Sequence, residues 1–506
     1  MIKLDGKSLT LETFRQIVDF EEEVTLSDES RKKIQASRAV VDNAIQKGEK
    51  VYSINTGFGF LSKVTIPPNQ LDELQVNLIR SHASGVGEPH SERESRAILL
   101  LRTNVLAKGF SGVRLELVEF LVKLLNAKIH PVIPCKGSVG ASGDLAPLAH
   151  LASVVLGEGE AFVLGKRMSG AEALKKAALS PLKLAPKEGL SLINGTQQMT
   201  ALGAIALLKA EELVNLADLI TSASLDGILG SEKAFSSWVH ETRPYSGQKR
   251  SAALVSRFIS GSEIAKSHVN CDRVQDPYSF RCSPQVHGAA RDLLRFVRET
   301  LTVELNAATD NPLVNSENGE LISQGNFHGQ PIAFALDILA MALSEISSIS
   351  ERRIAKLIDP QFSSLPAFLV GNEGVNSGFM IPHVAAASLV SENKLLTHPA
   401  STDSIPTSNE KEDHVSMGPI AARKAKTILQ NTMHVLAVET LAACQALDLR
   451  KPLQSGKGPQ FLHKKIREKV AAVESDRYFH KDIELVASLF ATGELYQQAE
   501  KDGLWQ

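Results

Sequence analysis

Three long stretches of this 506-residue chain carry neither glycine nor proline: residues 204–226, 332–359 and 420–451. Glycine and proline are the residues that most readily end a helix, so each stretch predicts one unbroken helix. The last two have about 30 residues each and would be roughly 45 Å long. Leu294, Val297, Leu301 and Leu305 recur at helical spacing in the 285–305 region. Strict two-residue alternation, the mark of a half-buried strand, is almost absent. The expectation is a mainly α protein, with one domain over 1–200 and a bundle of long helices over 201–506. The stretch PLQSGKGP at 452–459 breaks the bundle, and a charged amphipathic helical tail follows it. Segments such as IAFALDILAMAL are apolar on more than one face and would bury badly in a lone bundle. They point to a homo-oligomer.

The N-terminal part carries local signals. Ser27-Asp28 caps a helix over 27–48, in which Ile34, Val41 and Ile45 share a face and Gly48 ends the run. The loop VYSINTGFGFLSKV follows, with Tyr52 near its start. Ser91 and Glu94 form a capping box before AILLLRTNVLAKG, which stops at Gly109. His90 beside it reads as a surface residue. Charge breaks the apolar runs, as Lys209 breaks the one from Met199, so no membrane-spanning helix is expected. The N-terminus MIKLDGKSLTLE has no apolar signal core, and a cytoplasmic protein is expected. A net charge of −2 leaves no electrostatic footprint for nucleic acid or an anionic membrane. Cys135, Cys271, Cys282 and Cys444 form no CxxC pair, and four cysteines in a chain this long are read as reduced thiols.

The most informative short stretch is GSVGASGDLAPLAH, residues 137–150. Small residues crowd Ala141-Ser142-Gly143. Asp144 is a good helix N-cap, and Pro147 is tolerated in a first turn. A tight turn there would press the Gly143 nitrogen against the Ala141 carbonyl. Glycine removes the Cβ that would block this approach. The backbone can then cyclise with loss of water, and loss of a second water from Ser142 leaves an exocyclic methylidene. The product is a methylideneimidazolone, an electrophile made from the chain itself. The helix start behind Asp144 brings partial positive charge near it.

This long motif resembles that of the aromatic amino acid ammonia-lyase family, and the resemblance runs from about residue 40 to 450. It implies a long-helix bundle of the ammonia-lyase and fumarase-like type, with an N-terminal domain carrying the self-formed group and no metal or external cofactor. It also implies a homotetramer whose active sites draw on three chains. The fumarase-like enzymes' own GSxxMPxKxN loop is absent.

The reaction removes a barely acidic β-proton and a poor leaving group, so it needs an electrophile, a base, a carboxylate clamp and a side-chain pocket. In VQDPYSFR, Gln275, Tyr278 and Arg281 are spaced by three, so one turn brings them to one side. Arg281 has the planar fork that suits a carboxylate. The resemblance makes this block, with CSPQVHG after it, the substrate-carboxylate region. In LINGTQQMTA, Asn194 beside Gly195 would hold either a carboxylate or the ring oxygen. Tyr52 matches the family's mobile-loop tyrosine and would be the base if its pKa is lowered. Tyr278 and Glu412 are the alternative bases. GNFHGQ places Phe327 where the family flanks its prosthetic group.

Ser81-His82 bears on the substrate. Phenylalanine- and tyrosine-specific members carry an aromatic residue or histidine followed by leucine, whereas histidine-specific members carry Ser-His. His82 would share a hydrogen bond with a substrate imidazole, and Glu412 would pair with its second nitrogen. The implied reaction is elimination of ammonia from L-histidine to give trans-urocanate. The substrate's amine, or else its imidazole, would meet the electrophile. Two departures stand out. Glu410-Lys411 replaces an expected Asn-Gln, so that Lys411 would pair with Glu412. Pro382-His383 replaces Ala-Gln. The alternatives are another aromatic amino acid ammonia-lyase, an aminomutase, or a catalytically silent homologue.

Overall fold

The glycine- and proline-free stretches form three unbroken helices, Gln197–Gly227, Gln330–Leu357 and Gly418–Leu449, the last two stopping two residues short of the ends of their stretches. They have 31, 28 and 32 residues, and so run to about 47, 42 and 48 Å. A fourth, Ser283–Glu304, buries Leu294, Val297 and Leu301, and Leu305 just beyond it is buried too. These are features of a computed structural model that describes residues 1–52, 54–269 and 273–505. Among the described residues, strands are two to four residues long and form four small sheets. The fold is therefore mainly α.

The chain forms two compact units, neither continuous in sequence. The first comprises Met1–Ile205, Arg298–Asp337 and Pro399–Arg423. The second comprises Ala206–Val297, Ile338–His398 and the chain from Lys424 onward.

In the first unit, Ser27 caps the helix Asp28–Gln46 by accepting from the Ser30 amide. Ser91 and Glu94 make the reciprocal capping box that starts Glu92–Ala107. Strand Val86–Pro89 pairs antiparallel with Pro134–Lys136. This pairing delivers the chain to the 137–145 turn. Three antiparallel strands, Ile129–Pro131, Glu160–Val163 and Lys166–Ser169, form a second sheet. His90 is buried rather than at the surface, with Nε2 2.8 Å from the Gln198 amide nitrogen.

In the second unit, one buried polar network joins the four long helices. Arg353 grips the Glu439 carboxylate with two hydrogen bonds, of 2.6 and 2.9 Å. Ser224 and Ser350 donate to the same carboxylate. Asp218 takes His287 Nδ1 at 2.7 Å and Arg291 at 2.6 Å. Arg353, Glu439, Asp218 and His287 are all essentially inaccessible. Charges this deep are tolerated because each is paired and hydrogen-bonded.

The expectation that no helix could span a membrane is also corrected. The helix Gln330–Leu357 is long and apolar enough, by length and composition, to cross a membrane. Its apolar window is 67% buried inside the protein, however, as befits a core helix. Pro382 sits harmlessly in the first turn of Met380–Leu396, and His383 Nε2 lies 2.6 Å from Glu351 Oε1. Cys135, Cys282 and Cys444 are free thiols, and burial pushes Cys444 up to about 12. Cys271 lies outside the described residues.

Removing one partner of the Arg353–Glu439 pair strands a buried charge. Glu439→Ala is expected to cost about 3–5 kcal/mol, read as a lower thermal midpoint. The double substitution Arg353→Met with Glu439→Leu should recover most of it.

Candidate active site

The 137–145 turn is built from left-handed backbone. Ser142 has φ 51°, Gly143 78° and Leu145 50°. For serine and leucine this is strained conformation that the surroundings must enforce. The enforcement comes from the 194–196 segment. Gly195 N donates to Ser142 O at 3.1 Å, and Asp144 N donates to Gly195 O at 2.7 Å. A Cβ on Gly143 would stand 2.1 Å from Gly195 O, so only glycine fits. Ala141 packs on Val415 and Met417, and Met417 N donates to Val139 O at 2.9 Å.

Asp144 does not cap its own helix. The helix Ala146–Val155 begins after Leu145 without a side-chain cap. The Asp144 carboxylate instead accepts from the Gln198 amide at 2.6 Å and the Met199 amide at 3.4 Å. It thereby caps the long helix that starts at Gln197. Fully buried, it is pushed up to about 8 by loss of solvent, against the pull of those amides.

Behind the turn lies a buried polar cluster. Arg102 Nη1 donates to the Asn194 carbonyl, and its Nε and Nη2 have no partner among the described residues. Burial holds the guanidinium down to about 10. Asn194 spends one amide hydrogen on the Asn311 carbonyl at 3.2 Å, while its buried Oδ1 has no partner among the described residues. Lys187 pairs with Asp310 at 3.0 Å, both fully buried.

A cavity of about 1350 Å³ in the first unit is lined by Tyr52, His82, Ala141, Ser142, Asn194, Phe327 and Glu412. The Tyr52 hydroxyl accepts from Gly59 N at 3.3 Å. Burial, and then the Glu412 charge, push its phenol up rather than down, which opposes a free-standing phenolate. Glu412 Oε2 accepts from Thr407 Oγ1 at 2.6 Å. Lys411 is exposed on the cavity rim and, among the described residues, forms no ion pair with Glu412, contrary to expectation. His82 is held toward its neutral form, chiefly by burial.

Gln275, Tyr278 and Arg281 do come together, but in the second unit, and they do not line this cavity. Arg281 donates to Gln275 Oε1 at 2.8 Å, and its guanidinium lies 4.6 Å from the Tyr278 ring centroid. Tyr278 is 71% exposed.

Sequence reasoning missed Arg102, Lys187 and Asp310. A charged residue inside the apolar run AILLLRTNVLAKG was the available signal for the first. It also passed over His328 and His414, which line the cavity and whose rings stack 5.8 Å apart.

The chain belongs to the aromatic amino acid lyase family, whose profile matches residues 9–468, and is a carbon–nitrogen lyase. It is 52% identical to a histidine ammonia-lyase of Myxococcus xanthus (strain DK1622) over 494 residues, covering 98% of this chain and 97% of that one. Among solved structures, it is similar to histidine ammonia-lyase from Trypanosoma cruzi. That match has a TM-score of 0.91 and 43% identity, covering 99% of this chain and 95% of the other. It is also similar to tyrosine aminomutase from Streptomyces globisporus. There the TM-score is 0.94 and the identity 38%, covering 99% and 98% of the two chains.

Asp144 gives a pH signature. Its ordinary value is 3.8 and its folded value about 8. Between the two, the folded chain holds the extra proton, so stability falls as pH rises. Asp144→Asn should flatten the stability profile by up to about 1.4 kcal/mol per pH unit over that window. Denaturation at a series of pH values reads this directly. Parallel profiles would contradict it.

Proposed function

We propose that the chain is an ammonia-lyase that converts L-histidine to trans-urocanate and ammonia, the entry reaction of histidine degradation. The observation that carries this reading is the shared wall of one cavity, where Tyr52, His82, Ser142, Asn194, Phe327 and Glu412 meet. Fold likeness alone does not separate a lyase from an aminomutase, since both types of structure match over nearly the whole chain. Sequence likeness and the Ser81-His82 pair favour histidine.

The turn residues fit a methylideneimidazolone formed from Ala141-Ser142-Gly143. Gly143 has no room for a side chain, Ser142 is already left-handed, and Asn194 Oδ1 is buried without a partner among the described residues. When formed, the group supplies an electrophilic carbon that draws electrons from the substrate. No metal or external cofactor is needed.

The side chains divide the remaining work. His82 and Glu412 receive the imidazole. Asn194 offers its uncommitted amide hydrogen to the substrate carboxylate. Phe327 closes the wall beside the turn. Tyr52 takes the β-proton, with Tyr278 and Glu412 as the other candidate bases. Tyr52 needs a cation nearby to lose its own proton, and Arg281 is the residue of the right chemistry. Arg281, Tyr278 and Gln275 would come from other copies of the chain in a homotetramer with shared sites. Three observations support this. The cavity exceeds the roughly 300–1,000 Å³ usual for a small-molecule pocket. The Tyr278 cluster is exposed. Phe334 and Met341, two turns apart on one helix, stand 47% and 41% exposed. The protein works in the cytoplasm, with no nucleic-acid or membrane partner.

Purified protein should turn over histidine with kcat/KM at least about 100-fold above that for tyrosine or phenylalanine. Turnover of tyrosine alone would assign the aminomutase or tyrosine-lyase alternative. Activity should climb above neutral pH, because the substrate's amine must be neutral to meet an electrophile. Tyr52→Phe should lower kcat by about 10²–10⁴-fold. A loss smaller than tenfold would move the base to Glu412 or Tyr278.

A further inference from the structure

Ser81 and His82 end the helix Leu71–His82 at the cavity wall. His82 Nδ1 lies 2.9 Å from the Leu78 carbonyl oxygen, one turn back, and 3.1 Å from Ser81 Oγ. A carbonyl only accepts, so Nδ1 carries the ring proton. Ser81 completes the arrangement. With Nδ1 protonated, its hydroxyl, 3.1 Å from the same Leu78 oxygen, donates there and turns an oxygen lone pair toward Nδ1. Both neighbours of Nδ1 therefore accept from it. In a neutral imidazole protonated at Nδ1, Nε2 is an acceptor. Among the described residues Nε2 has no protein partner.

Glu412 lies on the same wall. Thr407 occupies its Oε2, and Oε1 has no partner among the described residues. An ionised carboxylate also only accepts. The other titratable groups on the wall are Lys50, Tyr52, Lys411, Asp413, His328 and His414.

We propose that Ser81 is a positioning residue that fixes His82 as a hydrogen-bond acceptor, so that the side-chain end of the cavity presents two acceptors and takes up one proton with each imidazole it binds. This rests on the reading that His82 and Glu412 receive the substrate ring. A neutral imidazole has one N–H and one lone pair, and so satisfies one acceptor only. The added proton lies between the ring and Glu412 and completes the second hydrogen bond, a charge-assisted one. Positive character on the ring draws electrons from the neighbouring β-carbon, whose proton the reaction removes. A ring that has no N–H and is too weakly basic to gain one leaves both acceptors unpaired and is rejected on that ground, whereas a ring that lacks its own N–H but can take up the proton pairs one of them.

Titration calorimetry on the intact protein tests this with imidazole, 1-methylimidazole and thiazole as probes. The measurement is made at about pH 8.5, two units above the ordinary imidazole value of about 6.5. Buffers of different ionisation enthalpy should report uptake of close to one proton per imidazole bound. Imidazole should bind about tenfold or more tighter than thiazole, with 1-methylimidazole between them. Ser81→Ala should narrow the imidazole-to-thiazole ratio by about threefold or more, and Ser81→Thr, which keeps the hydroxyl, should preserve it. Thiazole binding as tightly as imidazole, absence of proton uptake, or an unchanged ratio in Ser81→Ala overturns the proposal. Histidine turnover is read separately. Proton uptake without turnover defeats the lyase reading and keeps the two-acceptor subsite. Turnover without proton uptake defeats the subsite alone.

Discussion

Two backbone hydrogen bonds hold the Ala141-Ser142-Gly143 turn in place: Gly195 N to Ser142 O, and Asp144 N to Gly195 O. They lock a turn whose Ser142 and Leu145 sit in left-handed conformations, each costing on the order of 1–3 kcal/mol. A turn of small residues would otherwise relax. The clamp in turn depends on what stands behind it. Arg102 fixes the Asn194 carbonyl from inside the core, and the Asp144 carboxylate caps the helix that begins two residues after Gly195. Turn, clamp and long helix are thus one mechanical element.

The cavity wall assembles residues 52, 82, 142, 194, 327 and 412 because the first unit recruits two later segments of chain. The segment Arg298–Asp337 brings Phe327 and Asn311, and Pro399–Arg423 brings Glu412 and the Val415–Met417 support beneath Ala141. The second unit carries Tyr278 and Arg281, proposed above for the shared site, on a short helix, Tyr278–Arg281. That helix is braced from beneath, with Arg353 of the buried network reaching the Ser279 carbonyl at 3.4 Å.

Local signals in the sequence proved legible wherever the physics is local. The long helices follow from the absence of helix-breaking residues, and the caps at Ser27 and Ser91 follow from short-range hydrogen bonding. The 137–150 stretch stood out through its length and its likeness to a family motif, since a run of small residues ahead of an aspartate is by itself only a loop entering a helix. What failed was tertiary. Asp144 looked like the cap of its own helix and caps another, because the partner amides arrive from 54 and 55 residues away. His90 looked like a surface residue until Gln198 supplied its partner. The direction of the Tyr52 shift depends on burial and on Glu412, neither of which a single sequence position reveals.

The central claim is that three consecutive small residues become an electrophile. Intact-mass spectrometry of the purified protein tests it most directly. The purified chain should be lighter than its translated sequence by two water masses, and a Ser142→Ala variant should have its full translated mass. A wild-type chain at full translated mass that still converts histidine to urocanate would contradict it.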